Sequence, residues 1–137
     1  MKSLAIIVSQ GSTNNLIQVV TLLMAAVHSE LKARVLFRDE SLFRLTHEGI
    51  KRLEFSDGYR AQQDALAQRL KKHELDDLQA CLRQIKESGD VKLYACSSSL
   101  ALSGLKREEL IPEIDDVRGL PAFLLEDVAA AEKVLTF

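Results

Sequence analysis

The chain has 137 residues, 47% hydrophobic and 28% charged, a balance that suits one compact domain over residues 1–137 and excludes a disordered chain. Eighteen basic against twenty acidic side chains leave a formal net charge of −2, without the basic excess of a phosphate-backbone binder, so no nucleic-acid partner is expected. Two cysteines are too few for a disulfide framework, and without an apolar run of about 18 residues no membrane span is expected.

Met1 to Val8 lacks a following small-residue cleavage site and reads as a strand, not a signal peptide. A cytoplasmic protein with reduced thiols is the expectation. Leu4 to Val8 is a continuous apolar run, as in a central parallel strand covered on both faces. Ser9 to Ser12 breaks it, and Ser12 or Thr13 can cap a helix whose Leu16, Val19, Val20, Leu23 and Val27 form one buried stripe. That helix should end near Glu30, and Ala33 to Phe37 is a second strand. The intervening length is what a parallel crossover needs. Ser41 to Leu45 reads as a short helix, and Thr46 to Asp57 as loop and broken helix on the rim. Tyr59 to Lys72 predicts a helix with a narrow stripe, Leu66 and Leu70. Glu74 to Ser88 predicts a clearer one through Leu75, Leu78, Leu82 and Ile85, stopped by Gly89.

Val91 to Ala95 is the next strand, ended by Cys96 and followed at once by Ser97, Ser98 and Ser99. Leu100, Leu102 and Leu105 indicate a short helix closing near Gly104. Glu108 to Ile111 is a turn before Pro112, Pro121 to Ala130 is a helix after Gly119, and Lys133 to Phe137 is a last strand. This alternation predicts an α/β sandwich with a mainly parallel sheet. Ligands in such sheets sit beyond the carboxyl ends of the strands. That rule selects three loops: Gln10 to Thr13, Arg38 to Ser41, and Cys96 to Ser99.

Cys96 is the most informative residue, because a helix starting just after it aims free backbone N–H groups at the sulfur and favours thiolate. The same groups could hold an anionic persulfide or thiosulfonate, with the hydroxyls of Ser97, Ser98 and Ser99 as added donors. A small buried hydrophobe at a strand end is the alternative account. Cys81, beside the apolar stripe of its helix, reads as structural. Gly11 and Ser12 could form an anion-binding wall near Cys96, although a plain turn and cap explains them too. Neither GxGxxG nor GxxxxGK[ST] occurs, so no nucleotide cofactor is indicated. His28, His47 and His73 are scattered, no metal-ligand spacing is present, and no metal site is expected. The acidic pairs Asp76-Asp77, Glu108-Glu109 and Asp115-Asp116 read as solvated faces.

The run Glu87 to Ser97, with Gly89 before a strand ending Ala95-Cys96, is followed by Leu102-Ser103-Gly104-Leu105 and by Gly119-Leu120-Pro121. This ordered combination resembles the DsrE/DsrF-like sulfur-relay family, over about four-fifths of the chain, with Thr46 to His73 matching poorly. The resemblance implies a three-layer α/β/α sandwich on a five-stranded parallel sheet, assembled into homo- or hetero-oligomers. A homo-oligomer such as a trimer or hexamer is the expectation here. It also implies that Cys96 holds sulfane sulfur and passes it to a partner protein's thiol, as a carrier or sulfurtransferase, with donors being proteins or small sulfur compounds. Such a carrier needs Cys96 to be reachable. Some members have a second cysteine near the motif; Ser97 to Ser99 stand here instead. Two other functions remain open: a non-catalytic subunit of a sulfur-relay complex, and a small-ligand-binding module of flavodoxin-like form.

Overall fold

The structure, a computed structural model, describes residues 2–137; Met1, at the start of the expected first strand, lies outside them. Five parallel strands form one sheet in the order β4-β3-β2-β1-β5: β1 (Ser3–Val8), β2 (Lys32–Phe37), β3 (Val91–Cys96), β4 (Asp116–Arg118) and β5 (Lys133–Thr136). The chain steps from β1 to β4 in one direction, then returns past three strands to place β5 beside β1. Right-handed crossovers therefore put the earlier helices on one face of the sheet and the last helical segment on the other.

The first of these helices, α1 (Thr13–His28), begins where the sequence indicates: the Ser12 side chain accepts from the Asn15 N–H and caps it. Its Leu16, Val19, Val20 and Leu23 are buried. Each such side chain contributes roughly 1.5–3 kcal/mol on leaving water. The helix α4 (Leu78–Ser88) packs beside α1 and buries Leu78, Cys81, Leu82 and Ile85. It starts four residues later than expected, because Asp77 accepts from the Ala80 N–H and sets the cap there. Together they cover Ile6, Val35, Phe37, Leu93 and Ala95.

Between β2 and α4 lie α2 (Ser41–Arg44), two 3₁₀ turns (Gly49–Lys51 and Asp57–Gln62) and α3 (Gln63–Lys72). The expected helix from Tyr59 is thus 3₁₀ first and α-helical after. It is not continuous with α4. The arm from Thr46 onward divides in two. Its first part joins this fold: Thr46 bridges Leu110, and Ile50 is buried. Gly49 is required there, since a side chain would strike the Phe43 carbonyl at 1.8 Å. The second part, from Asp57 to Lys72, buries no residue.

After β3 comes α5 (Ser97–Ser103), closed by Gly104 at φ 72, the left-handed conformation glycine tolerates. In α5 Leu100 is buried but Leu102 is 90% exposed, so the expected three-leucine stripe is narrower than it looked. The short strand β4 escapes a reading by pattern, having three residues and two charges. The other face of the sheet is covered by α6 (Leu120–Ala122), which runs into a π-helical turn, Phe123–Val128. Beneath it lie Ala5, Leu36, Tyr94, Cys96 and Phe123.

Candidate functional site

Strand alternation decides which way Cys96 points. Val91, Leu93 and Ala95 face the core under α1 and α4, so Tyr94 and Cys96 face the opposite side. There the Cys96 side chain lies among Ala5, Leu36, Tyr94 and Phe123, with Leu120 and Val128 at the margin. It is 0% exposed. The expectation of a reachable thiol is therefore not met in this conformation: the segment after Gly119 is laid over it, and Phe123, also 0% exposed, fills the space.

The polar surroundings of the sulfur are specific. Cys96 occupies the cap position of α5, and its Sγ lies 3.3 Å from the Ser98 hydroxyl. Burial pushes the thiol up. The Ser98 hydroxyl, the Ser99 N–H and hydroxyl and the Ser98 N–H more than reverse that, leaving it below its ordinary value. Cys81 is the contrast: burial, then Asp77 and Asp76, push its thiol up, and its Sγ donates weakly to the Glu74 carbonyl at 3.6 Å.

Of the serines, Ser98 and Ser99 lie at the sulfur. Ser99 also accepts from the Asp39 N–H at 3.1 Å, joining the loop after β3 to the loop after β2. Asp39 itself sits at φ 55. Ser97 is exposed, its hydroxyl close to Gly119. The loop after β2 is also tied to β1: Ser41 donates its hydroxyl to the Val8 carbonyl at 2.9 Å and its N–H to the Ser9 carbonyl at 3.1 Å. So the three loops singled out by the fold rule do lie together.

Gly11 and Ser12 open elsewhere. They line a depression of about 360 Å³ with Glu40, Phe43, Arg44, Arg52, Glu54 and Phe55. The expected wall of a Cys96 pocket is instead a cap and a turn, with Gly11 held against the Glu40 carbonyl and the Arg44 side chain. The start of α1 is occupied by the chain itself: Thr13 donates its N–H to the Glu54 carbonyl at 2.6 Å, and Ser56 donates to Asn14 at 2.9 Å. His47 is exposed on a second depression with Phe43 and Leu105, away from the Cys96 cluster.

Two arrangements escape sequence reading. Arg44 is 1% exposed, and burial lowers its guanidinium from the ordinary value. It donates to the carbonyls of Gly49 (3.0 Å), Gly11 and Arg52 and to the Thr13 hydroxyl (3.2 Å), pinning the loop after β1 to the 3₁₀ turn Gly49–Lys51. The other is Arg118, paired in register with Cys96 across β3 and β4. Its guanidinium lies 4.8 Å from the centre of the Tyr94 ring. It reaches Glu126, and its Nε is 3.1 Å from Asp127. Only the short motif Asp116-Val117-Arg118 ahead of Gly119 hints at it in the sequence.

Comparison with known proteins agrees with the fold and with the family resemblance. The sequence model of the DsrE/DsrF/DrsH-like family matches residues 22–135. No curated protein matches the chain. A solved structure of a protein of unknown function from Methanobacterium thermoautotrophicum is similar over 98% of this chain and 99% of its own. It has a TM-score of 0.61 at 12% identity, a likeness of fold alone.

Proposed function

The chain belongs to the DsrE/DsrF/DrsH-like family, and from that premise we propose that Cys96 carries sulfane sulfur and hands it to a thiol of a partner protein. The observation that supports this most is the ring of donors from Ser98 and Ser99 around a sulfur that burial alone would keep protonated.

The chemistry needs no outside oxidant. The Cys96 thiolate attacks the outer sulfur of a donor persulfide, a new S–S bond forms on Cys96, and the donor leaves as its thiolate. With tetrathionate the leaving group is thiosulfate, and Cys96 keeps a thiosulfonate. The acceptor's thiolate then attacks the sulfane sulfur bonded to Sγ, and Cys96 leaves as thiolate. The donors at Sγ stabilise it at the start and again at release. With serines following Cys96, the adduct waits for the acceptor to dock. The reading includes a thiol-reducing cytoplasm, which keeps the sulfur free. It also includes a homo-oligomer, for which exposed Leu102, Leu124 and Leu125 offer apolar surface.

The test is mass spectrometry after incubation with polysulfide or tetrathionate. Sulfur-containing increments should map to Cys96 and vanish in Cys96→Ser. Increments of equal size in that variant overturn the assignment. A second reading, a non-catalytic subunit, draws on the complete burial of Cys96; it predicts no increment on the folded protein at any pH.

A further inference from the structure

Cys96 is sealed, yet donors are aimed at its sulfur, and the seal has an unusual construction. Residues Leu120–Ala122 and the π-helical turn Phe123–Val128 pack over Cys96 and Tyr94 with Phe123 as the plug. A π-helical turn is a rare form that recurs at functional sites. Outwardly the segment meets solvent, with Leu125 74% exposed. Its far end is tied back to the sheet through Arg118, which reaches Glu126 and Asp127. The second of these contacts is poorly made. Arg118 Nε and Asp127 Oδ2 are 3.1 Å apart but lack hydrogen-bond alignment, and among the described residues both buried atoms have no hydrogen-bond partner. Buried polar atoms left in this state make the clamp a weak one.

We propose that the segment from Gly119 to Val128 is a lid on Cys96, held by the Arg118 clamp to Glu126 and Asp127, and that it lifts as a unit to admit a reactant to Sγ. This rests on the sulfur-carrier reading, which requires a donor to reach that atom. Lifting it exposes Cys96 and Tyr94 while β3, α1 and α4 keep their own core. Such local openings cost less than global unfolding. The donors from Ser98 and Ser99 belong to α5, not to the lid, so the thiolate keeps them when the lid lifts.

The experiment uses iodoacetamide on the full chain, with the modified cysteine located by peptide mass mapping, so it involves no sulfur donor. Cys96 should react far more slowly than a free thiol, with only a weak dependence on added denaturant. Amides of residues 122–128 should exchange through an opening of the same free energy, and those of β3 should not. The pair Glu126→Gln with Asp127→Asn should speed Cys96 alkylation by roughly five- to tenfold, as loss of a partly buried ion pair allows. Reaction at the rate of a free thiol overturns the lid, and so does reaction with the full denaturant dependence of unfolding. Should the double variant fail to fold, the denaturant dependence of the unaltered protein decides. Failure of the carrier reading shows separately, as an alkylatable Cys96 that takes up no sulfur from polysulfide.

Discussion

On one face of the sheet, α1 and α4 lie side by side over Ile6, Val35, Phe37 and Leu93; on the other, Ala5, Leu36 and Tyr94 are met by the single segment Leu120–Val128. Each face holds one of the two cysteines. Within the thick layer, on α4 itself, Cys81 is a thiol pushed up by burial and by two aspartates. Under the thin layer Cys96 is equally hidden but surrounded by donors that favour its anion. Burial alone therefore says little about reactivity. What separates the two thiols is which charge state their neighbours stabilise.

The comparison can be broken most directly by truncating one large side chain on each face. Leu23→Ala, in the thick layer, should cost about 3–5 kcal/mol in denaturant unfolding, a lost transfer term plus a cavity that cannot collapse. Phe123→Ala should sit at the low end for a buried phenylalanine, about 3 kcal/mol, because a lid of one short segment can settle into the space. It should also raise Cys96 alkylation more than any thick-layer variant. Equal costs, with Cys96 still unreactive in Phe123→Ala, would make the two faces alike.

A smaller effect sharpens the electrostatic half of the contrast. Ser98→Ala removes the nearest hydroxyl and should move the pH profile of Cys96 alkylation upward by up to about one unit, worth roughly 1 kcal/mol. The folded thiol sits below its unfolded value, so its contribution to stability is present above the unfolded pKa and lost as pH falls through the folded one. Ser98→Ala should therefore lose stability chiefly at alkaline pH, measurable as a difference in unfolding midpoint between about pH 9 and pH 6. An unmoved profile would mean that the hydroxyl is a bystander. Smallest of all, Cys81→Ala should cost about 1 kcal/mol for a small buried group. It should leave both sulfur loading and Cys96 alkylation unchanged.

Much of this frame was legible in the sequence because its signals are local. The apolar run from Leu4 to Val8, the Ser12 cap and the stop at Gly89 each act within a few residues, and each stands where expected. The strand β4 was not legible, since a three-residue edge strand with Asp116 and Arg118 has no periodicity to detect. Nor was Arg44: a guanidinium in a four-residue helix looks solvated, and its burial depends on carbonyls brought from two separate loops. The position of Cys96 at a strand end was readable. Its seal was not, because beyond Lys92 β3 is buried on both sides, so alternation cannot say which face carries the thinner cover.

The sheet ends in its two shortest strands, three residues in β4 and four in β5, with charged Asp116 and Lys133 exposed along them. Borders so brief present few unpaired amides for a foreign chain to zip onto, which protects the fold from fibril templating. Self-association by continuing the ladder is disfavoured for the same reason, and contacts between copies are left to side chains on the flanks.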